Sequence, residues 1–253
     1  MDSILNKKYN IYSQNGEDGI IDYIFTKLNI HKGTFIEFGA WDGKHLSNSY
    51  NLFLNKEWNG IYIEADSNRY NDLVSNFHNV RDRIDCINAF VGFTENDNLD
   101  TLIETYSTKR EFDFVSIDVD GLDYFIFNRM NRYLPKVICI EVNAGHDPEY
   151  SFVIPEQVAS NNIGQSIKVI SSLAINKGYF PLCYTGNLFL VKNEYVHLFR
   201  DDIRTFSDMY VEFLQHLGRD GVLHLKNTFV LNKLYNGFLF ENEALEKFCK
   251  CLL

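Results

Sequence analysis

No apolar run in this sequence approaches the roughly 18–20 residues that a bilayer-spanning helix needs. The opening Met1-Asp2-Ser3-Ile4-Leu5-Asn6 does not read as a secretory leader, and none is expected. Positive charge is scarce too. The 24 Lys and Arg stand against 34 Asp and Glu, a net charge of -10 that repels phosphate backbones and disfavours a general nucleic-acid binder. Cysteines number five, at 86, 139, 183, 249 and 251. An odd count, with Cys86, Cys139 and Cys183 in apolar stretches, reads as buried reduced thiols and a cytoplasmic setting. Cys249-Lys250-Cys251 is the one close pair, open to a metal or redox reading, and no Cys/His spacing fits structural zinc. The G-x-S-x-G elbow, the P-loop and H-E-x-x-H are all absent, which sets aside the hydrolases, nucleotidases and metalloproteases that depend on them.

What the sequence does have is core material: 45% apolar residues, 15% aromatics, 21 Phe and 15 Tyr in 253 residues. Short β-rich runs alternate with amphipathic helical ones. Helical spacing at Ile20, Ile21, Ile24, Phe25 and Leu28 follows the loop Ser13-Gln14-Asn15-Gly16. Strands are expected at 34–38, 60–64, 84–91, 112–117 and 137–142, with helices between them around 46–54, 66–77 and 99–106. Strands joined through helices form right-handed crossovers in a mainly parallel sheet. A helix over 166–177 then ends at Gly178, and Tyr179–Tyr184, Thr185-Gly186-Asn187 and Leu188–Lys192 read as a hairpin. From Tyr195 onward the chain is mainly helical. The expected division is therefore 1–194 as one domain and 195–253 as a helical extension packed on it.

Ligands of such sheets sit beyond the carboxyl ends of the strands. The first strand ends in Glu37-Phe38-Gly39-Ala40-Trp41-Asp42-Gly43. Its glycines either let a ligand approach the backbone or simply turn the chain into a helix. A dinucleotide fingerprint would need glycine where Trp41 stands, which argues against NAD or FAD. The second strand ends in Glu64, a carboxylate able to accept from a ribose diol or to cap the following helix.

The E-F-G-A-W-D-G loop, Tyr62-Ile63-Glu64-Ala65-Asp66, Ile117-Asp118-Val119-Asp120 and the closing hairpin resemble class I S-adenosylmethionine-dependent methyltransferases. Within them the chain is most similar to FkbM-type sugar and natural-product O-methyltransferases, over about residues 13–192. The resemblance implies a doubly wound, Rossmann-like α/β sheet of order 3-2-1-4-5-7-6 with strand 7 antiparallel. It implies S-adenosyl-L-methionine as cofactor and O-methylation of a sugar or glycan; the net charge points to no nucleic-acid partner. Glu37, Gly39 and Asp42 would surround the methionine half, Ser47 and Asn48 would bind its amino-acid end, and Glu64 would hold the ribose. Asn88, Ala89 and Phe90 would border the adenine. Asp118 would join them, and Gln14 would come from an N-terminal loop folded over the cofactor.

Carboxylates also gather after the fourth strand, at Asp118, Asp120 and Asp123, and after the fifth, at Glu141 with Asn143. Neighbouring strands lie about 4.8 Å apart, so these acids crowd unless protonated or bridged by a cation. The resemblance makes Asp118, Glu141 and Asn143 ligands of Mg²⁺ or Mn²⁺, although Val142 separates an acid–amide pair that metal-dependent members keep contiguous. The same acids could instead orient substrate without a metal. Asp120 is the first expected base and His146 the second; the plainer readings are a capping acid and a loop histidine. The loop 147–165, with Pro148, Pro155 and Asn161-Asn162, is long enough to form a substrate lid.

Overall fold

The computed structural model describes residues 3–159, 163–231, 234–235, 238–239 and 243–252, with side chains left aside for 228–239, 246 and 249–252. Asn161, Asn162 and the Cys249 and Cys251 thiols lie outside the described parts.

The elements alternate as the patterning implied. In chain order they are α1 (Glu17–Lys27), β1 (Thr34–Phe38), α2 (Tyr50–Lys56), β2 (Asn59–Glu64), α3 (Ser67–Phe77) and β3 (Ile84–Asn88). Then come α4 (Leu99–Tyr106), β4 (Phe114–Ile117), α5 (Asp123–Arg129), β5 (Val137–Glu141), α6 (Glu156–Ala159) and α7 (Ile167–Asn176). The hairpin strands β6 (Tyr179–Tyr184) and β7 (Asn187–Lys192) precede α8 (Phe206–Leu231) and α9 (Glu243–Leu252). The main sheet has the order β3-β2-β1-β4-β5-β7-β6. β7 pairs antiparallel with both β5 and β6, and the remaining pairings are parallel. This is the doubly wound, Rossmann-like seven-stranded order that the resemblance implied.

Period-2 alternation explains why both faces need cover. Ile36, Phe38, Ile61, Ile63, Val115, Ile117, Ile138 and Ile140 pack on one face beneath α4, α5 and α7. Phe35, Tyr62, Phe114, Val137 and Cys139 pack on the other against Ile20, Ile24 and Phe25 of α1, Leu52 and Phe53 of α2, and Leu73 and Phe77 of α3. A parallel sheet buried on both sides reads in sequence as unbroken apolar runs. Met209, Tyr210, Phe213 and Leu214 of α8 enter the first of these clusters, so the extension shares the core. Tyr210 also donates to the Ala144 carbonyl at 2.7 Å, fastening α8 to the chain after β5.

The segment expected as a lid is anchored at several points, while residues 151–153 and 155–157 are exposed. Ile154, Val158, Ala159 and Ile163 belong to the core, and Gln165 clasps Ile154 by donating to its carbonyl and accepting from its N–H, both at 2.8 Å. Cys139 and Cys183 are buried free thiols and Cys86 is half-buried. Among the described residues no helix is long and apolar enough to cross a membrane.

Candidate active site

A cavity of about 580 Å³ opens at the carboxyl ends of β1, β2 and β4. Its floor is the turn after β1. Gly39 has φ +70°, and a Cβ there would lie 2.4 Å from the Asp118 carbonyl oxygen, so glycine alone fits. Three non-glycine residues at the cavity share the left-handed region, Trp41 at φ +51°, Leu46 at φ +54° and Asp120 at φ +56°. Such backbone costs of order 1 kcal/mol or more each and collects at functional sites.

Glu64 ends β2 with its carboxylate fixed at both oxygens. Oε2 accepts from the Trp41 N–H and Oε1 from the Asp66 N–H, each at 2.8 Å. Asp66 in turn caps α3 by accepting from the Asn68 and Arg69 N–H groups. Arg69 lays its guanidinium 4.3 Å from the Trp41 ring centre, and His45 meets that ring edge-on. Trp41, the residue that argued against a dinucleotide, thus forms a stacked wall of the cavity.

Glu37 is buried and turned toward residues 47–49. Oε1 accepts from the Asn48 N–H at 3.0 Å; Oε2 accepts from the Ser47 hydroxyl at 2.6 Å and from the Ser49 hydroxyl and N–H. Burial pushes the Glu37 carboxyl up, and these donors oppose the shift. Asn48 donates onward to the Ser116 hydroxyl at 3.0 Å, tying β1 to β4.

Beyond β4 and β5, Asp118, Asp120 and Glu141 offer oxygens that all lie within 4.8 Å of one another. Desolvation pushes the Glu141 carboxyl up first, and the charges of Asp118, Asp123 and Asp120 push it further. Asp118 is raised by desolvation and then by Asp123 and Asp120. Its side chain is open to the cavity, so the like charges are the part that a cation would relieve. Asp123 is buried and raised by desolvation, against the pull of the Val119 and Gly121 N–H groups that it accepts from.

Of the residues expected from sequence, Gln14, Glu37, Gly39, Asn48, Glu64, Ala89, Phe90, Asp118 and Asp120 line the cavity together. Asp42, Ser47, Asn88, Glu141, Asn143 and His146 do not, and each is held elsewhere. Asp42 accepts from the Lys44 and His45 N–H groups in its own turn. Ser47 is spent on Glu37, and Asn88 donates to the Glu64 and Ala65 carbonyls. Asn143, expected as a ligand beside Asp118 and Glu141, donates to the Ile163 carbonyl at 2.6 Å and accepts from the Gly145 N–H at 2.8 Å, so Asp120 stands in the acid trio instead. The expected base His146 is buried, with Nε2 at 2.9 Å from the Ile163 carbonyl, its ring stacked on Tyr150 and its pKa lowered by burial. It is a core histidine away from the lining. Sequence reasoning missed Glu17, Arg69 and Asn187, which line the cavity from α1, α3 and the hairpin turn. Only Glu17 carried a signal, its place in the loop that supplies Gln14.

A larger cleft of about 770 Å³ lies between the loop after β5 and helices α8 and α9. Its charges are already paired: Glu149 accepts from Lys168 and Ser207, and Asp147 accepts from the Ala244 N–H. The charged chemistry therefore belongs to the smaller cavity.

No family model matches the chain, and no curated protein does. Solved structures similar to it include M. capricolum TrmK with S-adenosyl-homocysteine, 10% identical over 90% of this chain and 98% of that one, with a TM-score of 0.46. A candidate caffeoyl-CoA O-methyltransferase from Staphylococcus aureus is 15% identical over 74% and 87%, with a TM-score of 0.48. A candidate sarcosine dimethylglycine methyltransferase from Galdieria sulphuraria is 13% identical over 65% of this chain, which spans 62% of that protein, with a TM-score of 0.45.

Proposed function

We propose that the chain is an S-adenosyl-L-methionine-dependent O-methyltransferase acting on a hydroxyl of a sugar or glycan. The observation that carries this reading is the charge of the cavity. Five carboxylates line it, Glu17, Glu37, Glu64, Asp118 and Asp120, against one guanidinium, Arg69. Such a lining favours a cofactor carrying a sulfonium and an ammonium, and repels the pyrophosphate of a dinucleotide.

Glu64, fixed by two backbone N–H groups, would take the ribose hydroxyls. Ala89 and Phe90, after β3, would border the adenine, and the Gly39 turn admits the methionine half. The cofactor supplies an electrophilic methyl; the chain's task is to hold an acceptor oxygen in line with it. Asp120 faces the cavity beside Asp118 and would receive the hydroxyl proton. The Asp118, Asp120 and Glu141 oxygens also suit a hard divalent cation, Mg²⁺ or Mn²⁺, which when bound would lower the acceptor's pKa.

Methyl transfer from S-adenosyl-L-methionine to a panel of glycosides and amines tests the reading. Transfer to a sugar hydroxyl is expected, falling about 100-fold in Asp120→Asn. Transfer confined to amines, or none to any acceptor, would contradict the sugar assignment.

A further inference from the structure

The segment Ser13-Gln14-Asn15-Gly16-Glu17-Asp18-Gly19 is built more tightly than a helix cap requires. Asp18 Oδ2 accepts from the Ile11, Tyr12 and Ser13 N–H groups and from the Ser13 hydroxyl, at 2.7 to 3.0 Å. Asn10 Oδ1 accepts from the Ser13 hydroxyl and the Gly16 N–H. Gly16 sits at φ +95°, where a Cβ would lie 2.6 Å from the Lys8 side chain. All of this fixes the residue that follows, Glu17, at the cavity.

Glu17 is 0% exposed and lines the cavity. Its partners are neutral: Oε2 accepts from the Asn15 N–H at 2.6 Å, and Oε1 from the Thr185 hydroxyl at 3.0 Å and the Asn187 side-chain amide at 3.5 Å. Lys8 is close enough for Glu17 to favour its charge, yet no ion pair within 4.0 Å joins them. A buried carboxylate held by neutral donors alone is costly unless a cation arrives to pair with it.

The sheet order sets which cation that is. The cavity runs from Phe90 and Glu64, beyond β3 and β2, across Gly39 to Asp118 and then to Asn187 at the start of β7. A nucleoside held at the first end directs its amino-acid chain toward the second. Glu37, the acid that the resemblance placed there, accepts from four donors of residues 47–49, whereas Glu17 accepts from three, one of them as far as 3.5 Å. We infer that Glu17, positioned by Thr185, Asn187 and the Asp18-centred loop, is the carboxylate that binds the α-ammonium of the cofactor's methionine half. This rests on the methyltransferase reading and assigns a specificity residue within it.

Calorimetry with two probes tests it, S-adenosylhomocysteine and 5′-methylthioadenosine, which share the nucleoside but differ in the amino-acid group. Glu17→Gln should weaken S-adenosylhomocysteine about tenfold, the loss of one charge-assisted bond, and leave 5′-methylthioadenosine within twofold. Thr185→Val, which keeps the charge and removes one positioning donor, should cost a few-fold on the first probe only. Equal weakening of both probes in Glu17→Gln, or no weakening of either, overturns the assignment. If the wild-type protein binds neither probe, the methyltransferase reading falls and this assignment falls with it.

Discussion

Glu64→Ala is expected to weaken S-adenosylhomocysteine binding about 100-fold. The carboxylate would give up two charge-assisted hydrogen bonds to the ribose diol, each worth about 1.5–3 kcal/mol gross, and a net loss near 3 kcal/mol corresponds to that factor. The geometry is prepared before any ligand arrives, because the Trp41 and Asp66 N–H groups already hold both oxygens at 2.8 Å. Folding should suffer far less. Asp66 still caps α3, and the Ile61–Ile63 core of β2 is untouched, so a cost of about 1 kcal/mol is expected from the two orphaned amides. Glu64→Gln separates shape from charge, since it keeps one acceptor oxygen and should fall between wild type and alanine. Binding within threefold of wild type in Glu64→Ala would show that the ribose is held elsewhere.

The second large effect concerns the acids after β4 and β5. Asp118, Asp123 and Glu141 are all raised above their ordinary carboxylate values, so the folded chain holds more protons there than the unfolded chain does. Their unfolded values lie near 4, so the folded state loses stability as pH climbs from about 4 through neutrality. Stability from these groups is therefore greatest in mild acid. Glu141→Gln replaces a carboxyl that must take up a proton on folding with a neutral amide, while keeping an oxygen for the Asp120 N–H. It should raise stability at pH 8 by about 1–2 kcal/mol, seen as a rise of roughly 3–6 °C in Tm, and change little at pH 5. Mg²⁺ or Mn²⁺ should raise the wild-type Tm at pH 8 and raise that of Glu141→Gln less. A variant no more stable than wild type at pH 8 would mean that the three acids do not repel as their spacing implies.

Much of the fold was legible because its signals are local. Thr34–Phe38, Val137–Glu141 and the hairpin read directly as strands, since buried parallel strands are runs of β-branched and aromatic residues. Edges moved where long-range bonds decide them. β3 stops at Asn88, where the next N–H turns aside to donate to the Glu64 carbonyl. The expected helical stretch near Leu46 begins only at Tyr50, because residues 47–49 wrap the Glu37 carboxylate and Leu46 itself has φ +54°. The packed loop after β5 was unreadable for the same reason: a Gln165–Ile154 clasp across 11 residues has no periodicity.

The site divides along the same line. As cavity-lining positions, Gly39, Glu64, Asp118 and Asp120 were legible because each lies at the end of a recognisable strand. Glu17 was not, since its partners Thr185 and Asn187 lie 168 and 170 residues away and only the closed fold brings them together. Asn143 and His146 looked like ligand and base by residue type, yet both are tied to the Ile163 carbonyl, a bond that no spacing reveals.

The central claim is that an anionic cavity beyond β1, β2 and β4 takes S-adenosyl-L-methionine. Calorimetric titration of the wild-type chain with S-adenosylhomocysteine, alongside NAD⁺ under the same conditions, tests it most directly. Micromolar binding of S-adenosylhomocysteine with no heat from NAD⁺ is the expected result. Silence toward S-adenosylhomocysteine, or competition for the cavity by NAD⁺, would contradict the account.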